Sequence, residues 1–133
     1  MKSNRAVGNA FEQELCKLLF DKGFWAHNLK QDNSGQPADV IAVRNKVAYL
    51  IDCKDCVGKK FDMKRIESNQ ETAMTLWEQC GNEVGWFAIK MSDDIYMVDF
   101  AKMKYFSSIR GSLKQEHLPL VGVPLEEWVA KCK

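Results

Sequence analysis

The sequence is poor in every feature that would take it out of the ordinary globular class. No stretch approaches the ~18 consecutive apolar residues of a membrane span, and Met1, Lys2, Ser3, Asn4 and Arg5 lead into charged residues rather than an apolar signal core. Neither export nor membrane anchoring is expected. Five cysteines (Cys16, Cys53, Cys56, Cys80 and Cys132) are odd in number and scattered through apolar-patterned segments, which excludes a disulfide scaffold and fits a reducing cytoplasm. Charge of one sign is also missing: 19 basic side chains meet 18 acidic ones, so the net charge of +1 neither demands nor excludes a polyanionic partner.

What is present is enough for a core. The 133 residues, 46% of them hydrophobic, are expected to form one domain spanning 1–133, with a core at about 4–99 and a C-terminal extension at about 100–133. A chain of this size buries roughly two-thirds of its unfolded surface without staples.

Val7, Phe11, Leu15, Leu18 and Leu19 recur at helical spacing and Gly23 follows them, which predicts a helix over 4–22 with a glycine stop. Residues 24–27 are a short candidate strand, and the polar stretch 30–37 has the composition of a loop. Residues 39–43 and 47–54 are rich in strand formers and separated only by Arg44, Asn45 and Lys46, as in a hairpin. Ile66, Ala73, Leu76, Trp77 and Cys80 return to helical spacing from Arg65 until Gly81. Residues 84–89 and 95–98 predict two more strands around a turn at 92–94. A short helix is expected over 100–108, a loop over 109–123 and a closing helix over 124–131 with Pro124 in its first turn. The order α-β-β-β-α-β-β-α implies an α/β (α+β) fold with a central mixed β-sheet flanked by helices.

Alternation along the second long strand puts Asp52 and Lys54 on one face and Ile51 and Cys53 on the other. Asp39 opens the preceding strand, from which its carboxylate can approach that of Asp52. Two converging carboxylates suit a hard divalent cation such as Mg2+, which takes oxygen ligands and keeps several waters. Such an ion acidifies water and neutralises charge developing on a phosphate under attack. Lys54 beside it could act as donor, base or positioning group, of which positioning and electrostatics are favoured. On its own, an Asp-x-Lys at a strand end is more often a solvated terminus than a site.

The surrounding residues raise its weight. Asp39 after Pro37 and Ala38, then Asp52-Cys53-Lys54 on the next strand, resembles the pattern of the PD-(D/E)xK nucleases, here with an alanine between proline and acid. Residues 8–15, 17–19 and 22–24 are similar to the N-terminal helix of the archaeal-type Holliday junction resolvases. Lys59, Lys60 and Phe61, followed by Asn69 and Gln70, are similar to the bacterial RecU-type resolvases. The resemblance covers about residues 5–99 and implies a restriction-endonuclease-like core and a homodimeric, Mg2+-dependent endonuclease that cuts four-way DNA junctions, with Mn2+ able to substitute. It implies Asp39, Asp52 and Glu12 as metal ligands, Lys54 as the water-positioning or charge-stabilising lysine, Gln70 as a helper in the cleft, and Ser34 as an active-site serine. Periodicity alone would instead favour Glu14 over Glu12, because Glu14 lies nearer the centre of the apolar face.

Basic residues cluster after the acid-x-lysine strand: Lys54, Lys59, Lys60, Lys64 and Arg65 against Asp55 and Asp62 give a net +3 over 54–65, with Lys59, Lys60, Lys64 and Arg65 as DNA contacts. Lys102, Lys104, Arg110 and Lys114 against Asp99 form a second +3 set, equally readable as a solvated surface. Few aromatics interleave with either set, which points to recognition of duplex or branched DNA by backbone and shape rather than single-strand stacking.

Other readings are weaker. Cys53 and Cys56 have redox or zinc spacing but no second ligand pair, His27 and His117 are isolated, and Trp77 and Trp86 fall on apolar faces. The expectation is thus a Holliday junction resolvase of the cytoplasm of a bacterium or phage-infected cell. The alternatives are a nuclease of this fold acting on duplex, nicked or flapped DNA, and a DNA-binding module without catalysis.

Overall fold

The computed structural model describes residues 4–29 and 38–133; the expected 30–37 loop, with Ser34, lies outside the described residues. Helix α1 (Asn4–Asp21) ends as expected at Gly23, whose φ of 89° lets the Phe24 amide return to the Leu19 carbonyl. Strands β1 (Trp25–Asn28), β2 (Val40–Arg44) and β3 (Val47–Cys56) form an antiparallel meander. Asn45 and Lys46 turn the β2–β3 hairpin with φ of 52° and 71°, the paired left-handed geometry that matches the twist of the flanking strands.

The chain then adds a short β4 (Lys60–Asp62), a 3-10 turn at Met63–Arg65, and α2 (Ser68–Gln79). Helical spacing had suggested continuous helix from Arg65. Instead Asp62 accepts the Lys64 amide to cap the 3-10 turn, the chain extends through Ile66 and Glu67, and α2 starts afresh. Ile66 still packs into the core, which is why it fitted the helical pattern. Strands β5 (Trp86–Met91) and β6 (Asp94–Asp99) follow, then α3 (Phe100–Ile109).

Residues 109–123, expected as a loop, contain β7 (Ser112–Lys114), a 3-10 turn at Gln115–His117, a single helical turn α4 (Leu118–Val121) and the start of β8 (Val123–Pro124). Strands of two or three residues carry too little periodicity to read. Helix α5 (Leu125–Lys131) begins directly after Pro124. His117 serves as a cap, its Nδ1 accepting the Lys114 amide.

The main sheet runs β1-β2-β3-β5-β6-β8, with β3 and β5 parallel at its centre and the other pairs antiparallel; β4 and β7 form a separate ribbon. The mixed sheet flanked by helices is as expected. Phe11, Leu15 and Leu19 of α1 and Trp128 of α5 cover one face, over Tyr49, Ile51, Cys53 and Ala88. Met74 of α2, Met103 and Phe106 of α3, and Phe61 and Leu113 of the ribbon cover the other, over Leu50, Cys56, Phe87 and Ile89. Cys53 and Cys56 therefore point into different cores and cannot act as a ligand pair.

Arg44 ties the ends of two helices together. Its guanidinium donates to the carbonyls of Lys22, Val129, Cys132 and Lys133 at 2.7 to 3.3 Å and lies 4.3 Å from the centre of the Phe24 ring. Carbonyls left over at helix C-termini are satisfied this way. Arg44→Met, which keeps the aliphatic stem, should lower the unfolding free energy by about 2 kcal/mol, read as a lower urea midpoint at unchanged slope.

Candidate active site

The central strand carries the candidate groups and is covered on both faces. Asp52 and Lys54 sit in β3 beside Phe87 and Ile89 of β5, and both are buried, Asp52 to 1% exposure. Asp39 lies just before β2 and is locked to β3 twice: its amide donates to the Ile51 carbonyl at 3.1 Å, and its Oδ2 accepts the Cys53 amide at 2.7 Å. That second bond swings the Asp39 carboxyl toward Asp52. No sequence signal announces it, since it joins a side chain to a backbone group fourteen residues away.

Among the described residues, neither carboxylate oxygen of Asp52 has a hydrogen-bond donor in reach, and Lys54 holds its Nζ 3.6 Å from Oδ2. Two ionised carboxylates are both acceptors, so Asp39 satisfies Asp52 only if a proton sits between them. Burial first, and then this sharing with Asp39, pushes the Asp52 carboxyl well above the usual range, while the Lys54 charge pulls the other way.

Glu12 joins from α1. It is 4% exposed, set between Phe11 and Leu15 on the packed side of the helix. Burial first, then the charges of Asp39, Asp52 and Glu12, push the Cys53 thiol well above its ordinary range. Glu14 points away and makes an ion pair with Lys90 at 2.9 Å. Periodicity misled here because the buried face of α1 is Phe11, Glu12, Leu15 and Leu19, which places the polar Glu12 inside the apolar stripe.

Gln70 arrives from α2 on the opposite face of the sheet. Its Oε1 accepts the Glu67 amide at 3.2 Å, closing the first turn of the helix, and also accepts from Lys54 Nζ at 3.5 Å. The ammonium thus rests between Asp52 and Gln70, with the Phe61 ring centre 5.9 Å away. Of the residues expected at the site, Asp39, Asp52, Lys54 and Gln70 are brought together, and Glu12 lies on the α1 side, near enough to act on the Cys53 thiol. Lys59, Lys60, Lys64 and Arg65 are exposed just beyond the C-terminal end of β3.

Among the described residues, no three acid, histidine or cysteine side chains are gathered tightly enough to hold an ion alone. A site of one or two carboxylates completed by water and substrate phosphate is the usual arrangement for Mg2+, and the two unsatisfied oxygens of Asp52 are the donors such an ion needs.

The model of the archaeal Holliday junction resolvase (Hjc) family matches residues 3–133. The chain belongs to that family. It is accordingly a nuclease, a structure-specific endonuclease of DNA junctions. Among solved structures, the Holliday junction resolvase Hjc of the archaeal hyperthermophile Archaeoglobus fulgidus superposes with a TM-score of 0.70 at 18% identity, over 91% of this chain and 96% of that one, which shows a shared fold. No curated protein matches significantly. An archaeal family gives no support to the expected bacterial or phage setting. Among the described residues of this resolvase, no helix is long and apolar enough to cross a membrane.

The Asp52 carboxyl also sets a pH dependence. A folded-state pKa above the unfolded value of about 3.9 stabilises only while the group is protonated, so the contribution is complete below that value and is lost as pH rises through the folded one. Metal-free Asp52→Asn should therefore melt increasingly above the wild type as pH rises from 4 to 8. A difference in melting temperature that stays flat across that range would contradict the stated origin.

Proposed function

We propose that this resolvase hydrolyses phosphodiester bonds at four-way junctions with Mg2+, Mn2+ substituting, held by Asp39, Asp52 and Glu12, the last directly or through water. The observation that carries this reading is the Asp52 carboxylate, buried in the central strand with neither oxygen satisfied among the described residues and with Lys54, itself bonded to Gln70, beside it. When bound, the divalent cation supplies charge neutralisation at the phosphate and acidifies water.

The chain's own residues do the rest. The Cys53 amide fixes the Asp39 carboxyl, and α1 buries Glu12 close enough to act on the Cys53 thiol. Gln70 restrains the Lys54 ammonium on the side away from Asp52, so that Nζ faces the cleft to orient a water or to meet a phosphate oxygen as it gains charge. Lys59, Lys60, Lys64 and Arg65, exposed beyond the end of β3, contact the DNA backbone. A four-way junction has approximate two-fold symmetry, and a homodimer with two such sites could cut opposing strands symmetrically.

End-labelled four-way junction, matched duplex and single strand, each with Mg2+ and with EDTA, test the reading. Paired incisions confined to the junction and abolished by EDTA are expected. Asp39→Asn or Asp52→Asn should abolish cutting while junction binding persists or tightens, because a carboxylate facing phosphate is removed. Wild-type cutting by either variant would sink the site assignment, and equal cutting of duplex would replace junction selectivity with a general duplex activity.

A further inference from the structure

The two basic sets of the sequence do not survive as sets in three dimensions. Lys102 lies in the first turn of α3 and lines a cavity of about 270 Å3 with Trp86, Asp99 and Trp128, and Lys104 stands over the Phe100 ring. Helix α3 then carries the chain some 15 Å by its ten residues, and the remaining two cations, Arg110 and Lys114, arrive beside the first set. Strand β7 pairs with β4 so that Lys114 is directly opposite Lys60, Leu113 opposite Phe61 and Ser112 opposite Asp62. Further backbone bonds extend the ribbon at both ends: the Met63 amide donates to the Gly111 carbonyl, and the Gln115 amide donates to the Lys59 carbonyl.

The pleat of this ribbon sorts its side chains. Phe61 and Leu113 turn inward and are fully buried, while Lys60 and Lys114 turn outward and are exposed. Like charges directly opposite on paired strands repel, and among the described residues neither lysine has a carboxylate within ion-pair distance. Asp62 spends its Oδ1 on the Lys64 amide, and Glu116 is an exposed residue in the following turn. Lys59 is held at φ 58°, a conformation seldom taken by L-residues. A structure that assembles lysines at this cost is explained by an anion that lies across them.

The ribbon's inner face touches the catalytic groups. The Phe61 ring has Arg65 5.1 Å from its centre and Lys54 Nζ at 5.9 Å, so the outer lysines and the cleft share one wall. The outward positions of β4 and β7 are Lys60, Asp62, Ser112 and Lys114, with no aromatic to stack on a base, which favours phosphates over bases as the ligand.

We infer that β4 and β7 form a phosphate-binding ribbon in which Arg110 and Lys114 join Lys59, Lys60, Lys64 and Arg65 on the DNA backbone beside the cutting site. The inference rests on the proposed function and assigns part of its DNA contact to the C-terminal third of the chain. Lys102, Lys104 and Lys131 fall outside the ribbon.

Junction binding measured in EDTA over a range of salt tests this directly. Removing one cation from the phosphate backbone makes the slope of log K against log salt shallower by about 0.9. Lys114→Gln should shift the slope by about one such step and Arg110→Gln/Lys114→Gln by about two, with KM for the junction raised. Lys131→Gln, on α5 across the sheet, should keep the wild-type slope, and matched thermal melts guard against misfolding. Wild-type slopes for the Arg110 and Lys114 variants, alongside a reduced slope for Lys60→Gln, would overturn the inference and leave the proposed function standing. No salt-dependent junction binding by the wild type would overturn both.

Discussion

An ionisable carboxylate buried with no hydrogen-bond donor among the described residues is the constraint around which the rest of the structure is arranged. Such a group costs more than most single interactions return, and Asp52 sits where dilution by solvent is least, in a strand covered on both faces. The fold offsets that cost only in part, with one ammonium at 3.6 Å and one carboxyl able to share a proton. The remaining deficit makes the site receptive to a cation and sensitive to pH, and it must be carried by packing elsewhere. The two apolar clusters on either side of the sheet are that packing.

The two faces supply different parts of the site. The α1 face contributes an acid, Glu12, and the buried Cys53 thiol beside it. The α2 face contributes the polar restraint on Lys54 through Gln70, whose amide oxygen also stabilises the start of its own helix. One oxygen thus couples the integrity of α2 to the position of the lysine. The parallel pairing of β3 and β5 makes this division possible, because the crossover that connects them places α2 on the opposite face from α1.

Residues 100–133 complete the domain on three sides. β8 pairs with β6 at the sheet edge, α5 closes the α1 face with Trp128 stacked at 5.8 Å on Phe24, and β7 builds the ribbon against β4. Arg44 binds the end of this segment back to the meander. This C-terminal segment is therefore joined both to the hydrophobic core and to the wall of the cleft.

Much of this was legible in the residues. The long helix, the hairpin, the mixed sheet and the pairing of Asp39 with Asp52 and Lys54 all follow from periods of 3.6 and 2 and from turn chemistry, which are local properties of a chain. Glu12 against Glu14 was legible only through the family resemblance and not through periodicity, because a helical wheel finds the middle of an apolar stripe but not which polar residue a partner surface will enclose. The Cys53 amide on Asp39, the Lys54 contact with Gln70 and the strand opposite Lys60 were hidden for the same reason. The sequence by itself determined which chemical groups the protein possesses and which elements carry them. Only the tertiary structure decided which of them meet, since contacts between distant segments depend on how whole faces pack and leave no periodic trace along the chain.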